Sequence, residues 1–548
     1  MSPRRIIALS WAAGVLVLAA ATSGPVGISR DEAVYVEAAR TYGAFWPSAL
    51  RHPSRVLEAA DRHYGWNPEH PGLGKGIFAV TRTVLRDVTG LAGDVQGARA
   101  GAWLLAAFLA LVLSAWGSEL AGPLGGVLAP ALFFLVPRNA WHAHPAVLDL
   151  PVTSFLLAAT YAFWRSTSAS RGRLSTAGWA VATGLLFGCA LGTKHNALLL
   201  PPVLLAAWAL GSIRFRQALP APGSEGAVGT WRGHRFPWAL VAMAALGPAV
   251  LVASWPWLWH RTLPRLLGWV GYHLHHENYP WMYLGTLLRE PPFPVGYALV
   301  VTALTVPLAV GVAMGGGLLH AAGRIVAAWR GRAPAVSLPT EWLLLLSALY
   351  PIAVLSWPGV PRFGGVKHWM PAMPFLALLG ARALVVAGRQ LWPARAAAVT
   401  GVLAAFALVP AAWQVAHVHP FGTAAWNEVA GGAPGAAAMG MQRQFWGDST
   451  AAVLPALNAH AAPGARVWFQ ETPPLAAELY RRDGRLRADL VVAAGPEDAD
   501  VSIWQYHQEF RDREFRTWTE FKNARPVTGA YLDEVPLVQV YARPGAWR

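Results

Sequence analysis

The sequence predicts a polytopic α-helical membrane protein of about eleven transmembrane helices, with outer amphipathic loop helices and a small C-terminal α/β domain. Three observations lead there. Of 548 residues, 55% are apolar and only 13% are charged, against roughly 25% charged in an average soluble domain. Mean hydropathy is +0.35, and uncharged runs such as 101–117 and 294–315 are long enough to cross a bilayer. The net charge of +15 is unevenly placed along the chain. The single cysteine, Cys189, excludes a disulfide framework and any multi-cysteine metal cluster.

Uncharged stretches of about 17–22 residues predict spans near 6–23, 98–117, 122–136, 147–164, 177–192, 196–212, 237–255, 294–314, 341–357, 369–387 and 396–413. With Arg4 and Arg5 on the cytoplasmic side, the inner loops collect Arg165, Arg171, Arg173, Arg214, Arg216, Arg232, Arg235, Arg324, Arg330, Arg332, Arg389 and Arg395. Only Glu119, Glu225 and Glu341 oppose them. The positive-inside rule therefore accounts for most of the basic excess, and no nucleic-acid partner is needed. Of 17 histidines only His234 and His320 fall inside, and all four lysines (Lys75, Lys194, Lys367, Lys522) fall outside, so chemistry is expected on the outer face. A cleaved signal peptide is the alternative reading of residues 6–23, with Ala19, Ala20 and Ala21 at the cleavage site. The following segment starts outside in both cases.

Residues 1–417 form the membrane region, and its two long outer segments, 24–97 and 256–293, are expected to carry function. In 31–46, Ala33, Tyr35, Val36, Ala39, Tyr42 and Gly43 suit a short helix lying on the membrane surface. Residues 255–285 interleave Trp, Tyr and His as an interfacial belt does. Residues 418–548 read as a soluble outer domain. There, strand-like runs at 466–470, 489–494, 501–506 and 537–543 alternate with helix-like runs at 471–482 and 509–521.

Candidate site residues sit at the outer ends of spans. Asp31 and Glu32 follow the first span, where a carboxylate can deprotonate an acceptor hydroxyl or merely sit solvated at the interface. The punctuated stretch 67–75 predicts a loop holding Glu69, His70 and Lys75, the lysine being a point charge for a phosphate or a plain solvated cation. Asp149 lies at the mouth of the fourth span, as a functional carboxylate or as the structural partner of an arginine such as Arg138. Lys194 in TKHN and Lys367 in FGGVKHW cap spans as phosphate cations or snorkelling anchors. In HLHHE, a helix would put His273 and Glu277 on one face with His276 beside them, and His275 completes the cluster. Such a cluster suits a divalent cation, a phosphate or ordinary hydrogen bonding. No Walker loop, nucleophile elbow or dinucleotide fingerprint occurs in a suitable context.

In this order, the acidic pair at 31–32, EHPGLGK, LDLP, GTKHN, WPWLWH with the His-rich stretch, YLG (283–285) and GGVKHWMPAMP (364–374) resemble the polyprenyl-phosphate-sugar-dependent membrane glycosyltransferases of the GT-C fold. The nearest groups are the dolichyl-phosphate-mannose protein mannosyltransferase-like enzymes and the lipid A aminoarabinose transferase. HPFGTAAWNEVAGGAPGA (419–436) and QFWG (444–447) extend the resemblance into the outer domain.

The resemblance implies an inverting transferase in the plasma (inner) membrane, N-terminus cytoplasmic and C-terminal domain extracytoplasmic. It would use a polyprenyl-phosphate-linked sugar donor and the hydroxyl of a protein, lipid or polysaccharide acceptor. It implies Asp31 as general base; Glu32 and Asp149 are the further catalytic candidates, and Tyr35 is another expected site residue. Lys75, Lys194, Arg362, Lys367 and His368 would form the donor-phosphate side. Glu69 with His273 or His276 would hold a divalent metal ion, flanked by His70, His275 and Glu277. The chain departs from the aminoarabinose transferase where Glu69-His70 replaces an acid-lysine pair, which moves the phosphate grip to Lys75. Two other classes fit the same features: a flippase of lipid-linked sugars, and a non-catalytic sugar-binding assembly partner.

Overall fold

The computed structural model of the chain describes residues 2–167, 173–215, 236–334, 337–362 and 364–548. Arg171, Arg216, Arg232, Arg235, Glu225 and His234, assigned above to inner loops, lie outside the described residues, as do Phe363 and the side chains of Arg173 and Arg214.

Among the described residues, eight helices are long and apolar enough to cross a membrane, and Trp238–Ser254 is a shorter apolar one. Every expected span but that at 294–314 falls on a helix. Two of them share the element Asp94–Phe134, which folds back on itself at Gly122, where φ is +77°. A Cβ on Gly117 would lie 2.4 Å from the Gly125 carbonyl, so the two arms pack backbone to backbone. The left-handed Gly122 followed by Pro123 makes the reversal. The span expected at 294–314 is broken instead. Val306 is extended before Pro307, and the crossing helix is Leu308–Trp329, which carries His320 and Arg324.

The outer segment 24–97 folds into the helices Arg30–Gly43, Phe45–Arg51, Val56–Tyr64 and Gly72–Arg82. Ser29 caps the first, accepting a hydrogen bond from Glu32 N, and Asp31 and Glu32 in its first turn suit the positive end of the helix dipole. This helix does not lie on a lipid surface. Ala33, Tyr35, Val36, Ala39 and Tyr42 are buried inside the protein, covered by the rest of the outer cap. The loop expected through Lys75 ends at Pro71, and Lys75 lies within the helix Gly72–Arg82.

Segment 256–293 forms the helix Thr262–Leu274 and an antiparallel hairpin, Trp281–Tyr283 with Thr286–Leu288. The helix is amphipathic: Leu263, Leu267, Val270 and Leu274 are exposed along one stripe, and Trp269 is buried on the other. It ends at Leu274, so the helical pairing of His273 with Glu277 does not form.

The last apolar helix ends at Val418. Beyond it a five-stranded mixed sheet runs in the order Val491–Val492, Arg466–Phe469, Val501–Gln505, Val535–Ala542, Thr528–Leu532. The first three strands are parallel to one another, and Val535–Ala542 runs antiparallel to both of its neighbours. The edge strand Thr528–Leu532 went unread in the sequence because TGAYL carries little apolar alternation.

This domain grips the membrane region. Asp483 accepts hydrogen bonds from Asp94 N (2.8 Å) and Val95 N (3.0 Å), capping a helix 389 residues earlier. The Tyr480 hydroxyl accepts from Ile28 N at 2.6 Å, and Trp446 O accepts from Arg30 N at 3.0 Å.

Candidate active site

A cavity of about 680 Å³ opens between the outer helices, the ends of the apolar helices and the C-terminal domain. Asp31 enters from the first turn of Arg30–Gly43, and Lys367 from the turn Gly365–His368. Their side chains pair at 3.0 Å, with Asp31 31% and Lys367 10% exposed. Lys367 Nζ also lies 3.9 Å from the ring centre of Trp446. Lys194 lines the opposite part of the wall and pairs with Asp149 at 2.6 Å. Asp149 itself is buried behind that wall, where it anchors the lysine. His368 lines the cavity too. Its Nε2 accepts from Gly364 N at 3.1 Å, which puts the ring proton on Nδ1, and burial, reinforced by Lys367, holds its pKa well below the usual histidine value.

Three imidazoles converge beside Lys194. One nitrogen from each of His70, His195 and His273 lies within 4.8 Å of the others. The rings of His195 and His273 stack at 3.7 Å, and Nδ1 of both His70 and His195 is buried without a hydrogen-bond partner. Burial, with nearby Lys194 and Lys75, keeps His70 neutral at pH 7, the form that ligates a cation. This group replaces the expected trio. Glu69 lines the cavity, but its carboxylate accepts from Asn67 Nδ2 (2.6 Å) and the Tyr272 hydroxyl (3.0 Å). His276 lines the cavity and contacts Glu277 O, while His275 and Glu277 stay exposed and do not line it. Tyr35 stands edge-on to His70, its centroid 5.7 Å away, and its hydroxyl pKa is pushed well up by burial and by Asp31.

Besides Asp149, His275 and Glu277, three further expected site residues do not line the cavity. Glu32 is fully buried and makes a two-pronged pair with Arg99 (2.7 and 2.8 Å), its Oε1 also accepting from Ala146 N. Such a carboxylate has no path to a substrate and ties the first outer helix to the membrane bundle. Lys75 is equally buried. Its three ammonium protons go to Asn67 O, Asn67 Oδ1 and His70 O, so it braces the 67–70 loop rather than gripping phosphate, and burial lowers its pKa to about 7. Arg362 is buried with its guanidinium donating to the carbonyls of Val360, Pro294 and Trp357.

Sequence reasoning missed His195 as a site residue, although it adjoins Lys194. It also missed the contribution of the C-terminal domain, from which Phe445, Trp446, His507, Glu509 and Phe510 line the cavity.

Residues 90–263 match the family model of dolichyl-phosphate-mannose-protein mannosyltransferases. The whole chain follows the structure of ArnT from Cupriavidus metallidurans bound to undecaprenyl phosphate. The match covers 97% of each chain at a TM-score of 0.50 and 13% identity. The chain has the GT-C fold. The apo form of ArnT matches equally, at 14% identity, TM-score 0.50 and 97% coverage of both chains. A third similar GT-C structure is the apo oligosaccharyltransferase of Archaeoglobus fulgidus, at 13% identity and TM-score 0.46 over 74% of this chain and 55% of that one. No curated protein sequence matches the chain. On the GT-C frame, the family-model match spans Arg99, Asp149, Lys194 and His195, and stops before His273 and Lys367.

Proposed function

We propose that the protein is an inverting membrane glycosyltransferase that moves a sugar from a polyprenyl-phosphate donor to an acceptor hydroxyl at the outer face of the plasma membrane. One observation carries this reading: a carboxylate and two lysines from distant parts of the chain, Asp31, Lys194 and Lys367, line a single cavity. The same cavity is walled by Leu198 and Leu199, which are 50% and 38% exposed, and by Val354 and Leu355 on a neighbouring apolar helix. An isoprenoid tail is accommodated along that apolar side while its phosphate reaches the lysines. The likeness to ArnT, solved with undecaprenyl phosphate, supports the donor class.

In the proposed reaction the acceptor hydroxyl attacks the anomeric carbon from the side opposite the phosphate, and Asp31 takes its proton. Lys194 and Lys367 stabilise the charge that grows on the departing lipid phosphate, which needs no protonation to leave. Asp149, 2.6 Å from Lys194 Nζ, holds the lysine in position at the cavity wall. Lys367, shared between Asp31 and the phosphate side, passes from one anion to the other as charge moves. Direct displacement inverts the anomeric centre.

His70, His195 and His273 are assigned as the holders of a divalent cation. The buried, unpartnered Nδ1 atoms of His70 and His195 and the imidazole chemistry of all three suit Zn²⁺, which imidazole ligates at about 2.0–2.1 Å, although His273 Nε2 also contacts Glu69 O at 2.9 Å. When bound, it would add positive charge beside the donor phosphate.

The test is Asp31→Asn in purified protein supplied with undecaprenyl-phosphate-linked sugars. Transfer falls by about 10²–10⁴-fold while undecaprenyl phosphate still binds. Unchanged transfer overturns the assignment of the base, and no binding of undecaprenyl phosphate to the wild type overturns the donor class.

A further inference from the structure

The C-terminal domain contributes an ionisable pair to the cavity that the reaction above does not use. His507 and Glu509 follow the strand Val501–Gln505 and both line the cavity, with side chains only 3% and 6% exposed. His507 Nδ1 lies 3.1 Å from Glu509 Oε1. A carboxylate only accepts, so the ring proton sits on Nδ1. Glu509 is fixed in turn by Gln442, whose Nε2 donates to both carboxylate oxygens at 3.0 Å and whose Oε1 accepts from Met282 N in the outer hairpin. The imidazole is therefore held from behind by a chain of hydrogen bonds reaching two other segments. Its other nitrogen, Nε2, is buried and has no partner. Leaving a buried polar atom unpaired is unfavourable, and a cavity ligand supplies the missing partner.

We infer that His507 Nε2 accepts a hydrogen bond from a hydroxyl of the acceptor, and that the acceptor is a saccharide. The inference rests on the transferase reading above. With its proton on Nδ1, the imidazole presents a lone pair to the cavity, and Glu509 beside it makes the spot hostile to a phosphate or carboxylate. A hydroxyl is the group that donates there. The choice of a saccharide over a peptide follows from the backbone. Val501–Gln505 is paired on both sides, with Arg466–Phe469 and with Val535–Ala542. The N–H groups of Tyr506, His507 and Phe510 already donate to Leu537, Gln505 and His507 carbonyls. This wall offers an extended peptide no strand edge to join. Recognition falls to side chains, and an imidazole and a carboxylate flanked by the rings of Phe445 and Phe510 match the mixed hydroxyl and C–H surface of a sugar.

The test uses the full chain in detergent micelles, with methyl α-mannopyranoside and a blocked Ala-Ser-Ala tripeptide as probes in saturation-transfer NMR. The glycoside gives signals that fall at least tenfold in His507→Phe and are partly retained in His507→Gln, which keeps a polar acceptor. Undecaprenyl phosphate binds His507→Phe within twofold of wild type, which shows that the variant is folded. A glycoside signal that survives in His507→Phe overturns the inference, as does a His507-dependent signal from the tripeptide alone or no signal from either probe. Failure of undecaprenyl phosphate to bind wild type would instead remove the transferase reading, and the glycoside result would still stand by itself.

Discussion

The ammonium of Lys367 lies 3.9 Å from the ring centre of Trp446, while its other side faces Asp31 at 3.0 Å. A residue of the C-terminal domain thus presses a cation against the proposed base. Loss of such a contact costs about 0.5–2 kcal/mol. Trp446→Leu is expected to slow transfer about 2- to 30-fold through kcat, read in a single-turnover assay with saturating donor. Lys367→Met removes the charge itself and is expected to cost about 10²–10³-fold.

Glu32 and Arg99 form a fully buried ion pair. Removing one partner strands the other charge, so Glu32→Gln or Arg99→Met is expected to destabilise by about 3–5 kcal/mol. Thermal unfolding in detergent would show it, whereas a catalytic role for Glu32 would lower turnover at unchanged melting temperature.

Asp483 caps the helix Asp94–Phe134 from the far end of the sequence. Asp483→Ala is expected to cost about 0.5–2 kcal/mol, with faster amide exchange confined to residues 94–97, measured by hydrogen–deuterium exchange.

Asp448 is buried, and its pKa is raised by burial to about 6. In the unfolded chain an aspartate titrates near ~3.9. Below that value both states are protonated and the contribution is fully present. As pH climbs towards about 6 the unfolded state ionises first, and on the order of 3 kcal/mol of stability drains away. Asp448→Asn is expected to flatten this part of the stability profile between about pH 4 and 6 in chemical unfolding followed by tryptophan fluorescence.

The three-histidine group is expected to hold zinc stoichiometrically after dialysis against buffered metal, detected by elemental analysis. His195→Ala should abolish it, and Glu69→Gln should leave it in place because Glu69 is engaged by Asn67 and Tyr272. Loss of zinc in Glu69→Gln with retention in His195→Ala would overturn the ligand set.

Much of this was legible before folding. Asp31, Lys194, Lys367, Glu69 and His273 were singled out as chemistry at the outer ends of spans, and all five line the cavity. Lys75 and Arg362 shared the same address and the same charge, yet their donors are consumed by backbone carbonyls and, for Lys75, also by Asn67 Oδ1. Nothing in residue type or spacing separates a cation that faces a cavity from one that braces a loop. The His507–Glu509 pair had a faint signal, two ionisable residues just beyond a strand-like run, which means little until the strand is known to end at the cavity.

The polytopic helical membrane class and the approximate position of its apolar segments were legible from the sequence alone, and the ordered motifs pointed to the GT-C fold; of about eleven expected spans, eight crossing-length helices and one shorter apolar helix appear among the described residues. Hydrophobic length and charge asymmetry add up locally and need no knowledge of neighbours. Which ionisable groups meet was decided only by the tertiary structure. Lys367 finds Asp31 across 336 residues, Arg99 finds Glu32 across 67, and Lys194 finds Asp149 across 45. The partner of a buried charge is fixed by where packing aims each side chain.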